Sequence, residues 1–398
     1  MLSASCSSRT KRLENLQRTT EILADLIAFP TISADSNFDM ILHMAGLLED
    51  AGARCEVMSS PCGTKANLFG TLGPDRDGGI LLSGHSDVVP VADQAWTRDP
   101  FFMDAGNGLL YGRGSCDMKG FIAATLAMAP YFAEHVQDRP VHFAFTYDEE
   151  VGCLGARQLA DALVERGLTP GVAIIGEPTE MRIIDGHKGC NEYTTHFNGL
   201  AGHGSLPDHG VNAVEYAVRY VNHLLGLKDA LRARAPKNSP FDPPWTTVNV
   251  GALVGGVAHN VIAPSAHVDW EMRPVQPGDA EFVKESLQRY CEKELLPKMR
   301  EVHPGAYITT DVIGEVIGLI PTEENEARRI VSELTGANSS DVVAFGTEAG
   351  LFQALGTDVV VCGPGSIEQA HKADEFISVE QLAQCLGMLE RLGERLHV

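Results

Sequence analysis

The sequence predicts an α/β protein with a mostly parallel sheet, interrupted by an inserted ferredoxin-like α+β domain, and three observations carry that prediction. The chain has 398 residues, more than one hydrophobic core usually organises, so two packed units are expected. Short apolar runs ending in Gly, Asp, Glu or Pro alternate with helical stretches over most of its length, as parallel strands with crossover helices require. Between residues 185 and 319 the order becomes strand, helix, strand, strand, helix, strand, which is the pattern of a self-sufficient ferredoxin-like unit. The expected division is therefore a discontinuous domain of residues 1–184 and 320–398, with residues 185–319 inserted.

Each element has a local reason. Leu13, Leu16, Ile22, Leu23, Leu26 and Ile27 recur at helical spacing and predict a helix over residues 10–29, which Pro30 stops. A second helix is expected over 38–51. Strands follow at 80–83, 141–147, 172–175 and 358–362, with helices at 121–134 and 154–166 between them. Inside the inserted segment the spacing predicts strands at 192–197, 246–254, 266–272 and 306–312, and helices at 211–225 and 280–296. After Pro321 a helix, a strand and a closing helix over 379–396 complete the first domain.

Composition narrows the function. Apolar residues make up 44% and charged residues 21%, ordinary values for a folded globular chain. A net charge of −22 repels phosphate backbones and anionic lipids, so neither nucleic acid nor membrane is an expected partner. The nine cysteines are scattered and contain no C-x-x-C pair, which argues against a disulfide framework. No apolar run suits a signal peptide or a membrane span, and a cytoplasmic location is expected. No G-x-S-x-G elbow, G-x-G-x-x-G turn or P-loop occurs, so serine hydrolases and nucleotide-binding enzymes are disfavoured.

In parallel sheets ligands bind beyond the carboxyl ends of the strands. Here the first marked strand runs into His85 and Asp87, the second into Asp148, Glu149 and Glu150, the third into Glu177, and the fourth leads to His371; Asp117 joins them from the glycine-rich loop 112–120. Taken singly, a histidine after a strand or a pair of glutamates is more often structural or solvated. Together, two histidines and several carboxylates without a thiolate pattern suit Zn²⁺, Co²⁺ or Mn²⁺. Five ligands are too many for one catalytic zinc and suit two metals about 3.5–4 Å apart if one carboxylate bridges. Asp117, in its tight loop, is the expected bridge, and Asp87 is placed to orient the His85 imidazole from behind. Consecutive residues cannot approach one metal from the same side. Glu150 is therefore assigned to metal and Glu149 to proton transfer, its carboxyl raised by burial in a closed cleft.

Over nearly its whole length, from Pro30-Thr31-Ile32-Ser33 to His371-Lys372-Ala373-Asp374-Glu375, the chain resembles the dinuclear zinc amidohydrolases, which include acetylornithine deacetylases, desuccinylases, aminoacylases and glutamate-releasing carboxypeptidases. The resemblance implies two zinc ions per subunit, with cobalt a possible substitute. One would be held by His85, Asp117 and Glu177, the other by Asp117, Glu150 and His371, with Glu149 as the base. It also implies that residues 185–319 form a lid through which a homodimer assembles. His203, in the loop 199–205, matches a histidine that reaches the partner's active site and stabilises the oxyanion; a plain surface histidine is the alternative. Asn260 and Arg273 match substrate-binding lid positions. Arg273 either clasps the substrate carboxylate with two parallel hydrogen bonds or makes a surface salt bridge. Residues 346–352 and 363–371 resemble acetylornithine deacetylases more than desuccinylases. Glu348 either attracts a substrate ammonium group or caps the following helix, and Cys116 reads as a packed thiol. The implied reaction is hydrolysis of N2-acetyl-L-ornithine to ornithine and acetate, in arginine biosynthesis. Another N-acyl-amino-acid hydrolase or a dipeptidase is the alternative. An inactive binding or scaffold homologue is disfavoured, because all five ligands and Glu149 are present.

Overall fold

The structure is a computed structural model that describes residues 2–396, with side chains from residue 10 onward. The chain forms two compact units. The first comprises residues up to Gly186, Pro321–Asp341, and the chain from Thr347 on; the second comprises His187–Ile320 and Val342–Gly346.

The first unit is built on a sheet in the order Arg54–Ser59, Ala66–Leu72, Val141–Thr146, Ile80–His85, Val172–Pro178, Asp358–Gly363, followed by the strand that starts at Ile184. The four central strands are parallel neighbours and almost every residue in them is buried. That double-sided burial is why they read as continuous apolar runs. The flanking strands Arg54–Ser59 and Ala66–Leu72 are antiparallel and were not expected. Arg54–Ser59 alternates Arg, Cys, Glu, Val along a half-exposed edge and so lacks the apolar run that marks a central strand.

Helices Leu2–Ile27, Gly120–His135 and Val379–Leu396 pack against one another, burying Leu23, Leu26, Ile27, Phe121, Phe132, Leu382 and Leu389. Gly176 shows how tightly the middle helix seats on the sheet. A Cβ there would lie 1.9 Å from the Phe121 ring, so only glycine fits one residue before Glu177. Helix Leu154–Arg166 stops at Gly167, whose φ of 64° is the left-handed cap that favours glycine.

The second unit has a four-stranded antiparallel sheet in the order Thr247–Gly255, Ser265–Arg273, Cys190–Asn198, Tyr307–Val316. With helices Ala213–Ala233 and Asp279–Tyr290 between strands, this is the expected ferredoxin-like arrangement. Its core holds Phe197, Tyr220, Val268 and Met272, with Tyr193 stacked 4.5 Å from Trp270. The first helix begins at the Asn212 cap, whose side chain accepts from Val214 N. It runs past the expected end because Leu227 and Leu231 continue the buried stripe. The helix expected over 280–296 instead breaks into Asp279–Tyr290, a π-turn at Cys291–Leu295 and Leu296–Val302. Pro297 lacks the amide that a continuous α-helix needs there. Among the described residues, no helix is long and apolar enough to cross a membrane.

Candidate metal centre

Strand Ile80–His85 delivers the first histidine. Its Nδ1 lies 2.9 Å from the Asp87 carbonyl oxygen, an acceptor only, so Nδ1 carries the proton and donates. Nε2, the nitrogen left free to carry a second proton or to meet a metal, faces Asp117 Oδ1 at 3.0 Å and Glu177 Oε1 at 3.8 Å. The other Asp117 oxygen, Oδ2, lies 3.4 Å from His371 Nε2, which is 3.1 Å from Glu150 Oε2. Two triads result, His85 with Asp117 and Glu177, and Asp117 with Glu150 and His371, and the potential ligand atoms of each lie within 4.8 Å of one another. Asp117 is common to both. Among the described residues one further group meets the same spacing, Cys190, Glu192 and Glu271, where Arg273 already donates to Glu271 at 2.9 Å.

What fixes Asp117 is Glu375, to which no role was assigned from sequence. Its carboxylate accepts from the backbone amides of Gly114, Cys116 and Asp117 at 3.0, 2.9 and 3.0 Å, and from Arg113 Nη1 at 2.7 Å. Both side chains of this pair are 1% exposed. One buried carboxylate thus satisfies three loop amides that water cannot reach. At the far end of the loop, buried Lys119 donates to the carbonyls of Leu26 and Phe29 at 2.9 and 2.8 Å, and burial pushes its amine down to about 7. The buried Cys116 thiol packs against the Ser366 carbonyl at 3.3 Å, as a packed thiol should.

Asp87 makes more contacts than the one expected with the His85 ring. Its carboxylate stands 3.6 Å from His85 Nδ1, because the nearer carbonyl of the same residue takes that proton. Oδ1 instead accepts from Glu149 N at 3.0 Å and Oδ2 from Ser33 Oγ at 2.7 Å. Asp87 therefore faces the imidazole with its backbone carbonyl at 2.9 Å and its carboxylate at 3.6 Å, and the same carboxylate holds the Glu149 turn. Lys65, also missed from sequence, pairs with Asp148 and donates to the Ser33 carbonyl. Glu348 is 1% exposed. Its oxygens accept from Ser83 Oγ at 2.5 Å and Thr146 Oγ1 at 2.7 Å, and its side chain makes no cap bond to the following helix. The capping role is thus not what the structure shows.

The remaining three residues lie in the second unit. Gly202–His203 pairs with Val261–Ile262, and Gly204 N donates to the Asn260 carbonyl at 2.8 Å, so His203 and Asn260 share one short ladder. The exposed His203 ring takes a hydrogen bond at Nδ1 from Ser205 N at 3.2 Å. Arg273 makes the salt bridge to Glu271 described above.

The electrostatics are those of a crowded, buried set of carboxylates and histidines. Burial, then neighbouring carboxylates, push Glu177 well above the usual carboxylate range; burial and Glu150 do the same to Glu149 against the pull of His85. Burial and Asp117 raise Glu150. Burial disfavours the charged form of Asp117, but hydrogen bonds to His371 and His85 hold it well below its ordinary range. His371 is raised to about 10 by hydrogen bonds to Asp117 and Glu150. Burial opposes protonation of His85, yet Asp117 and Asp87 raise it well above its usual value. Carboxylates outnumber cations, the donors are nitrogen and oxygen, and one carboxylate is shared. That set fits a pair of divalent ions.

A pH dependence follows for metal-free protein. Glu149, Glu150, Glu177, His85 and His371 bind protons more tightly folded than unfolded. Their stabilising share is complete below the unfolded values, about 4.3 for Glu and about 6.5 for His, and is lost as pH rises through the folded ones. Asp117 runs the other way and loses its share only as pH falls below about 3.9. Chelator-treated protein is expected to melt at progressively lower temperature as pH rises from about 5 to about 10. Added Zn²⁺ should remove most of that slope, and a flat profile without metal would contradict the assignment.

Structural comparison supports the same architecture. The fold is similar to an M20 family metallo-carboxypeptidase from Sulfolobus solfataricus, with TM-score 0.74 and 16% identity over 95% of this chain and 99% of that one. Human carnosine dipeptidase 1 gives TM-score 0.71 and 17% identity over 98% of each chain. A dinuclear metal-binding peptidase from the M20 family of Bacillus subtilis gives TM-score 0.59 and 16% identity over 95% of this chain and 98% of that one. At these identities the likeness establishes the fold. Family membership rests on the sequence itself, because residues 81–395, which include every member of both triads, match peptidase family M20/M25/M40. The chain belongs to that family of metallopeptidase-type hydrolases.

Proposed function

We propose that the protein hydrolyses the amide bond of a small N-acylated amino acid, N2-acetyl-L-ornithine, releasing ornithine and acetate. The observation that carries the chemistry is the Asp117 carboxylate, with one oxygen toward His85 and the other toward His371. On this assignment His85, Asp117 and Glu177 hold one ion, and Asp117, Glu150 and His371 the other. When bound, the ions, zinc with cobalt a workable substitute, lower the pKa of water and polarise the acyl carbonyl.

Glu149 takes the proton of the attacking water and returns it to the leaving nitrogen. Its raised carboxyl suits an acceptor working near neutrality, and the Asp87 bond to its amide sets where it stands. His203 accepts at Nδ1, so the neutral ring carries its proton on Nε2, where it donates to an oxyanion. Arg273 offers a planar fork to the substrate carboxylate, and Asn260 is a second substrate-binding position. Acetylornithine is preferred because residues 346–352 and 363–371 resemble acetylornithine deacetylases. That substrate assigns the protein to arginine biosynthesis in the cytoplasm, and the resemblance assigns a homodimer formed through the second unit.

The test is hydrolysis of acetylornithine, acetylcitrulline, acetylmethionine, succinyl-diaminopimelate and a dipeptide by chelator-stripped protein, with and without restored Zn²⁺. Preference for acetylornithine that returns only with metal is expected. Metal-restored activity on another member of the set would keep the chemistry and overturn the substrate.

A further inference from the structure

Glu348 is the only residue assigned to substrate from sequence that lies in the unit carrying both triads, and its surroundings point elsewhere. The carboxylate is 1% exposed, and each oxygen is taken by a hydroxyl on a different strand of the parallel core. Ser83 donates to Oε1 at 2.5 Å from strand Ile80–His85, and Thr146 donates to Oε2 at 2.7 Å from strand Val141–Thr146. These strands are register neighbours, with His85 opposite Thr146. The first ends on His85, two residues beyond Ser83; the second runs into Glu149 and Glu150, three and four residues beyond Thr146. Each Glu348 oxygen thus has its own hydroxyl donor, and burial leaves the carboxyl group no face toward solvent.

We infer that Glu348 is a positioning residue: it ties the ends of the two strands that present His85 and Glu149–Glu150, and so sets the spacing between the two triads. This rests on the assignment of those residues to the metal centre. Because His85 belongs to one triad and Glu150 to the other, a shift of one strand against its neighbour changes the separation of the two donor sets. Substitution of groups that orient metal ligands typically costs about 10–100-fold in metal affinity or activity.

Glu348→Gln keeps the shape but replaces one acceptor with a donor, so one hydroxyl must turn round. It is expected to lower kcat about 10–100-fold equally on acetylornithine and acetylmethionine, with KM little changed, and to weaken Zn²⁺ binding, read by competition with a chromophoric chelator, by about tenfold or more. Ser83→Ala and Thr146→Val should each reproduce part of the loss and add little to Glu348→Gln, as members of one network do. If Glu348→Gln fails to fold, the two hydroxyl variants carry the test. A rise in KM confined to acetylornithine, with Zn²⁺ affinity unchanged, would overturn the inference and restore the substrate-ammonium role. Wild-type behaviour of all three variants would overturn it as well. The Zn²⁺ competition needs no substrate, so it still decides the matter if the wild-type protein proves inactive on every compound tried.

Discussion

Glu149→Gln is expected to lower kcat about 10²–10⁴-fold, the range that a lost general acid–base group produces, while bound metal stays at the wild-type level. Gln has the size of Glu but cannot take the proton of the attacking water, and Glu149 belongs to neither triad, so metal retention separates this loss from a loss of ligands. The same change removes one of the carboxylates that burial and its neighbours hold well above the usual range, so the metal-free variant should melt above the metal-free wild type. Metal analysis, kcat on the preferred substrate and chelator-treated melts together check this. Activity within about tenfold of wild type would mean that the proton is moved by another group.

Asp117→Asn tests the other half of the centre. An amide presents one oxygen where the carboxylate presents two, and the two oxygens face different histidines. The expected result is that bound metal falls to one ion or none per chain. Activity should fall by at least about 10³-fold, since the charge stabilisation supplied by metal is worth several kcal/mol and about 1.4 kcal/mol is a factor of ten. The loop itself should survive, because the Glu375 bonds to its amides involve no Asp117 side-chain atom. Two ions retained at wild-type affinity would show that Asp117 is not shared, and the proposed division of ligands would fail with it.

The donor set and its shared Asp117 were readable before the structure because the chemistry is local, while the division into two triads came from the family resemblance. His85 ends one buried parallel strand, Glu177 stands one residue from the end of another, and Glu150 comes four residues after a third, and a histidine or carboxylate closing an apolar run is visible in a linear chain. Asp117 announced itself through a glycine-rich loop. Asp87 was placed behind the His85 ring, but spacing does not say that its backbone carbonyl is the nearer acceptor or that its carboxylate also holds the Glu149 amide. Glu375 sat inside a recognised motif without a role: its three amide donors lie about 260 residues earlier in the chain, and no periodicity links them.

The sequence by itself determined the fold class, the ferredoxin-like insertion, the two sets of donors and the family. Apolar periodicity, strand-end chemistry and motif wording are properties of residues and their near neighbours, and they survive in one dimension. Only the tertiary structure decided that Glu375 scaffolds the Asp117 loop, that Asp87 clamps the Glu149 turn, and that Glu348 is buried between Ser83 and Thr146. Those are hydrogen bonds between groups as much as 265 residues apart. Their partners are chosen by which strands lie side by side and by the cost of leaving a buried polar group unpaired, and neither is written in any local stretch of the chain.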